Sequence, residues 1–385
     1  MKSLTWPQVW GRRLARHTLL TPRPKADLVE VVRMVGGIHA QMMSAAELSI
    51  GVRLAGVTCE DVRAELWQHR KLVKTYGLRG TVHLFPADEA PLWAAALRAH
   101  PGAGEARRLA QRGLDPARLA AIVAAIGAAL DGRRLTREEL GEEVTRRTGA
   151  WVMDPVSPSF GGQAPRWQNA LGAAANAGLL CFGPAQGNKV TFVRADQWLD
   201  GWEEMDSATA LQEVFRRYLC AYGPATARDF AQWFGVQPRD AADLPRQLAD
   251  EVEEVEVEGW RAWLLAGESE ESWPEAHDGV HLLPHFDCYG IGCHPRERLV
   301  PPEWRARGLA QGSIGHLPLV IIGGVVAGVW SLRRKGKRAE IQVETSHALN
   351  ARQRHDLEAA AARIGETTQA EATLSYGAVD ARPHA

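Results

Sequence analysis

"RLTREELGEEVTRRTG", residues 134–149, decides how the rest of the chain is parsed. Thr136 followed three residues later by Glu139 is a capping-box pattern, in which each side chain satisfies the other residue's backbone N–H, so a helix is predicted to start there. Working outward, DPARLAAIVAAIGAAL (115–130) carries apolar residues at the three- and four-residue spacing of a helix. On the other side lie a Pro/Gly/Ser-rich loop, DPVSPSFGGQAP (154–165), and a third helix, RWQNALGAAANAGLL (166–180). Then CFGPAQGNKVTFV (181–193) reads as two short strands joined by a Gly-bounded turn. Helix, helix, helix and β-hairpin in that order is a winged helix.

The same grammar stands before and after this unit. WPQVWGRRLARHTLL (6–20), ADLVEVVRMVGG (26–37) and CEDVRAELWQHRKLV (59–73) read as helices, and KTYGLRGTVHLFP (74–86) as paired strands around Leu78-Arg79-Gly80. After residue 206 come ALQEVFRRYLCAYG, then TARDFAQWFG with Thr226 and Asp229 at cap spacing, RDAADLPRQLAD, and EVEEVEVEGWRAWLLA as strands of period two. From about residue 272 the texture turns β-rich, with Gly323-Gly324 and Lys335-Gly336-Lys337 as turns and one helix, ARQRHDLEAAAARIG. The fold class expected is α+β and mostly helical: three tandem winged-helix modules (1–114, 115–205, 206–271) and a C-terminal small β-barrel or half-barrel (272–385).

At 385 residues the chain is long enough for two or three cores. Its net charge of −1 hides an asymmetry: residues 1–120 hold 18 Lys+Arg against 10 Asp+Glu, residues 201–280 only 6 against 18. The N-terminal part can therefore face a polyanion and the middle part cannot do so uniformly. No window has the apolar run needed to cross a bilayer, and five cysteines without a CxxC pair read as reduced thiols, so a cytoplasmic protein is expected.

"GGIHAQMMS" (36–44) sets His39 and Gln41 two positions apart in a stretch that otherwise reads as core. In an extended segment both side chains project to one side and can converge on one water molecule or one sugar atom; alternatively, the pair ends a helix at Gly36-Gly37 and satisfies local backbone groups. Lys71, Lys74, Arg79, Thr81 and His83 around the LRGTVHLFP turn would face a phosphate backbone, or form a solvated wing. Arg166, Gln168 and Asn169 stand where a recognition helix puts its first turn. Arg333, Arg334, Lys335, Lys337 and Arg338 form the densest basic cluster, around a hairpin turn; such charges also deter edge aggregation. His281, His285, Cys288, Cys293 and His294 lack the paired spacing of a zinc site, and neither a P-loop nor a GxSxG elbow is present, so no metal and no cofactor is expected.

VGGIHAQMMSAAELSIGVRLAG, ELWQHRKLVKTYGLRGTVHLFPADE, LLPHFDCYGIGCHPRERLV and VVAGVWSLRR, in this order, resemble the AlkZ-like winged-helix DNA glycosylases over nearly the whole chain. The resemblance implies three winged-helix modules and a β-barrel forming a cleft around duplex DNA. It also implies excision of bulky N7-alkylguanine adducts, for some members interstrand crosslinks, and self-resistance to genotoxic natural products. The family's catalytic signature is Gln, an apolar residue and Gln; here those positions are His39, Ala40 and Gln41. The resemblance thus implies His39 and Gln41 as catalytic residues, double-stranded DNA with alkylated guanine as partner, and a monomer that touches no membrane. Two other readings stay open on residues alone, a non-catalytic winged-helix regulator and a protein that sequesters the toxin itself.

Overall fold

The computed structural model describes residues 2–99, 102, 104–159, 162–276, 278–306, 309 and 314–380. The chain divides into two compact units: Met1–Ala64, Phe215–Trp233 and Ala242–Ala385 form the first, Glu65–Val214 and Phe234–Ala241 the second. The fold is mixed α/β, and among the described residues no single helix is long and apolar enough to cross a membrane.

The first unit is discontinuous in sequence because distant segments supply each other's missing surface. Strand Lys2–Leu4 pairs in parallel with Val252–Val257, which pairs antiparallel with Trp260–Leu265. The Glu/Val alternation of this hairpin turns Val255 and Val257 inward, where they meet Leu4, Trp6 and Val9 of the N-terminal segment. Trp6 stacks on Trp260 at a ring separation of 5.4 Å. The period-two reading of residues 251–266 holds; the N-terminal strand that joins the hairpin carried no local signal.

The C-terminal part of the same unit is a five-stranded sheet, in the order Val280–Leu283, Leu319–Ile322, Val325–Lys335, Arg338–Thr345, Glu371–Tyr376. The first four strands run antiparallel and the last is parallel to its neighbour, so a crossover is needed. Helix Ala351–Thr368, opened by a capping box between Asn350 and Gln353, supplies it. Leu357, Ala361 and Ile364 of this helix pack on Leu282, Val320, Trp330, Ile341 and Val343 of the sheet. Leu48, from the helix that follows GGIHAQMMS, joins that core, so the N-terminal motif is tied to the C-terminal sheet.

Within the second unit, residues 115–193 follow the expected element order with two departures, whereas the helix expected over 59–73 stops at Trp67 and Leu72 already opens a strand. Helices Pro116–Leu130 and Arg137–Thr148 form, and Thr136 and Glu139 make the capping box, with Thr136 N–H donating to the Glu139 carboxylate at 2.7 Å. Strands Cys181–Gln186 and Lys189–Val193 pair around Gly187 and are joined by Leu135–Thr136. The loop expected at 154–165 is instead a hairpin of Pro155–Ser159 and Gly162–Pro165. The third helix is also shorter than periodicity suggests: a 3-10 turn, Arg166–Ala170, leads into Leu171–Asn176. Gly178, at φ 73°, ends it, since only glycine takes that conformation cheaply.

Candidate active site and nucleic-acid interface

Two consecutive left-handed glycines build the candidate active site. Helix Leu28–Met34 stops, Gly36 and Gly37 take φ of 71° and 92°, and the chain emerges extended through Ile38–His39. Tyr222 fixes this exit by donating its hydroxyl to the Val35 carbonyl at 2.8 Å. Ile38 and Ala40 are buried, as expected for the core face. His39 is only 7 % exposed, whereas Gln41 is exposed at the bend before helix Met43–Gly51. The stretch is therefore a strand end that carries one shielded and one open polar side chain.

One face of the His39 ring lies on Phe286, with ring centroids 4.6 Å apart and planes 25° from parallel. Phe286 sits at φ 56°, a strained conformation for an aromatic residue, so its neighbours must hold it. Its N–H donates to the Gly315 carbonyl at 2.8 Å, and a Cβ on Gly315 would stand 2.8 Å from the Phe286 ring. The next residue, Asp287, is anchored more firmly. Arg53 grips its carboxylate with two nitrogens, at 2.7 and 2.8 Å, Ser49 donates its hydroxyl at 2.6 Å, and Tyr289 N–H donates at 2.9 Å. Ser49 lies in the helix that follows the motif, so this buried ion pair clamps the segment after Gln41 to the segment bearing Phe286.

Burial alone would push the Asp287 carboxyl up, but the charge and hydrogen bonds of Arg53, with Ser49 and Tyr289, outweigh it and hold the group below its ordinary value. Beside it, burial pushes the Cys288 thiol up to about 12 against the opposing pull of Arg53, so it stays protonated and unreactive. Among the described residues no three His, Cys, Asp or Glu side chains are grouped to hold a metal ion.

The residues expected to touch DNA fall into three sets. Lys71 and Arg79 are exposed, Arg79 on a turn at φ 57° packed against Gly235; Lys74 is half-buried with its ammonium 5.1 Å from the Phe182 ring. Thr81 donates its hydroxyl to Leu78 O at 3.1 Å and His83, 2 % exposed, has Nδ1 3.1 Å from Thr81 O, so both brace this turn. His83 does not lie on the surface as the sequence suggested, because strand Val82–Pro86 is buried along its whole length.

In the second set, Arg166 donates to the carbonyls of Arg112 (2.8 Å) and Trp151 (2.5 Å) and pairs with Asp154 at 2.7 Å. Asn169 accepts from Arg112 and Ser157 and donates to Arg166 O. Their polar groups are bound within the unit; Gln168 is half-buried between them. The third set is the hairpin. Arg333, Arg334, Lys335, Lys337 and Arg338 are all exposed, around a tight turn in which Lys335 faces Arg338 and Gly336 takes φ 58°. His39, Gln41 and this hairpin belong to one compact unit.

A family model described as DNA glycosylase AlkZ-like matches residues 32–367, a span that includes the motif, the Arg53–Asp287 clamp and the basic hairpin. The chain belongs to the AlkZ-like DNA glycosylases. It is 34 % identical over 337 residues, 85 % of its own length and 88 % of the relative's, to a Streptomyces sahachiroi protein named interstrand DNA cross-link repair glycosylase. The solved structure of Streptomyces sahachiroi DNA glycosylase AlkZ is similar at a TM-score of 0.81 and 28 % identity, covering 98 % of this chain and all of that one.

For this AlkZ-like glycosylase, sequence reasoning singled out His39 and Gln41 and missed the residues behind them. Phe286, Asp287, Ser49 and Arg53 lie in quoted stretches, yet none was assigned a role. The only local signal was a charged pair in otherwise apolar surroundings: Arg53 follows SIGV and Asp287 stands in LLPHFDCYG. A buried charge needs a partner, so each should have prompted a search for the other.

Proposed function

We propose that this glycosylase hydrolyses the N-glycosidic bond of bulky N7-alkylguanine adducts in duplex DNA, interstrand crosslinks included, with His39 and Gln41 placing the attacking water. The observation that carries the reading is the pairing of a shielded, ring-stacked His39 with an exposed Gln41 at one strand end. A guanine alkylated at N7 is cationic and leaves readily, so no strong general acid is required. What remains is to position water at C1′ and stabilise an oxocarbenium-like transition state. The Gln41 amide oxygen orients the water and the imidazole of His39 in its neutral form takes its proton. The water oxygen bonds to C1′ as the C1′–N9 bond breaks, and the electron pair of that bond leaves with the cationic N7-alkylguanine, which departs as a neutral base. No lysine is assigned to Schiff-base chemistry, so the product is an abasic site.

In this reading segments 1–114, 115–205 and 206–271 act as winged-helix modules, 272–385 as the half-barrel that presents the basic hairpin, and the working species is a monomer. Lys71, Lys74 and Arg79 with the hairpin cations supply phosphate contacts. Thr81 and His83 brace the Arg79 turn, while Arg166, Gln168 and Asn169 shape the turn that opens the third helix of the second module. Self-resistance to a genotoxic alkylator is the biological role that follows.

Single-turnover release of modified guanine from duplex DNA tests the proposal, with wild type, His39→Ala and Gln41→Ala compared. Each variant is expected to slow release by roughly 100-fold or more while DNA affinity is kept. A wild type that binds undamaged and adducted duplex alike and releases nothing would make the chain a DNA-binding protein without this activity.

A further inference from the structure

A cavity of about 420 Å³ lies in the first unit between the catalytic segment and the basic hairpin. Its walls are mostly apolar, with Met42, Ala45, Leu48, Leu317, Trp330 and Leu332, while Ser44, His285, Ser331 and Asp380 add a few polar groups. The connection to the functional segments is covalent at both ends. Met42 directly follows Gln41, and Leu332 directly precedes Arg333. The floor is rigid, because Trp330 is 1 % exposed, packs in the sheet core and donates its indole N–H to Leu283 O at 2.8 Å.

A preformed apolar cavity of this size belongs to the range that takes drug-sized ligands, and neither a deoxyribose nor a phosphate would exploit it. We infer that it is a specificity pocket that takes the apolar ring system carried on N7 of the damaged guanine, while Gln41 addresses the sugar and the hairpin holds the phosphates. The inference rests on the glycosylase reading above. It assigns lesion preference to Ala45 and Leu332, which touch neither water nor sugar. Burying the adduct's apolar body there removes it from water at the same step that seats C1′ at the motif, so bulk becomes a means of recognition.

The test is equilibrium binding in a Gln41→Ala background, which keeps substrate intact, to undamaged duplex and to duplex with a polycyclic aromatic N7-guanine adduct. A preference for the adduct of about tenfold or more is expected, falling to about threefold or less when Ala45→Phe or Leu332→Trp fills the cavity. Leu332→Ala, which enlarges it, should keep the preference. Melting temperatures of the filled variants within a few degrees of the parent exclude collapse of the fold. Filled variants that retain the parental preference, or a parent without any, overturn the pocket. If adduct preference is present and sensitive to filling while wild type releases no base, the hydrolytic reading fails and the pocket stands.

Discussion

His39 and Arg334 belong to the same compact unit and receive opposite treatment from it. The histidine is 7 % exposed, lies on Phe286, and is backed by an ion pair in which Arg53 and Asp287 are both buried. The arginine stands on an exposed hairpin whose turn is held by backbone pairing and one glycine. In the proposed role the first region needs position, since a water-placing group works only within a narrow geometry. In the proposed role the second needs only charge within reach of a polyanion, and screening makes its exact placement secondary. Rigidity is concentrated where chemistry is proposed, and freedom where electrostatics suffices.

Breaking the clamp should give the largest effect. Asp287→Ala leaves the Arg53 guanidinium buried without its partner, which costs about 3–5 kcal/mol in urea unfolding. The double variant with Arg53→Met should recover part of that loss. A cost below about 1 kcal/mol would mean the segment bearing Phe286 is held by something else. Phe286→Leu removes the ring under His39 and should cost about 1 kcal/mol of stability. Its sharper readout is a fall in single-turnover release that exceeds any change in DNA affinity.

A pH series sharpens the same contrast. Burial holds His281 down near about 4, whereas an unfolded imidazole titrates near about 6.5. Between those values the unfolded chain binds the extra proton. The stability this neutral histidine contributes is complete above pH 6.5 and is lost as pH falls towards 4. The expected loss is about 1–3 kcal/mol over that window, and His281→Leu should flatten the curve. An equally steep curve in the variant would point to other buried groups. The smallest stability effect belongs to the hairpin: Arg334→Glu with Lys337→Glu should leave unfolding within about 0.5 kcal/mol of wild type. The same pair should weaken DNA binding and flatten its salt dependence, and a salt slope identical to wild type would remove the hairpin from the interface.

What was legible in the sequence follows the range of the forces concerned. Thr136 with Glu139 and Thr226 with Asp229 are three residues apart, and both pairs form the reciprocal bonds their spacing implies. The glycines at 36 and 37 and the Lys335-Gly336-Lys337 turn were readable for the same reason. RWQNA misled because Arg166 is long enough to turn back on residues 112, 151 and 154, and periodicity carries no trace of that contact. Arg53 and Asp287 lie 234 residues apart, and nothing short of the tertiary fold joins them.

The discontinuity of the first unit also sets an order of events during synthesis. Residues 65–214, the bulk of the second unit, form one continuous run, and only 234–241 must follow before that unit is complete. Gly36 to Ser44 emerge earlier yet must wait, since Phe286 and Asp287 are made far later and the sheet core that receives Leu48 later still. A nascent or truncated chain can thus hold most of the second unit while residues 36–44 still lack the segments that support them. The proposed active site is therefore among the last parts of the chain to be completed.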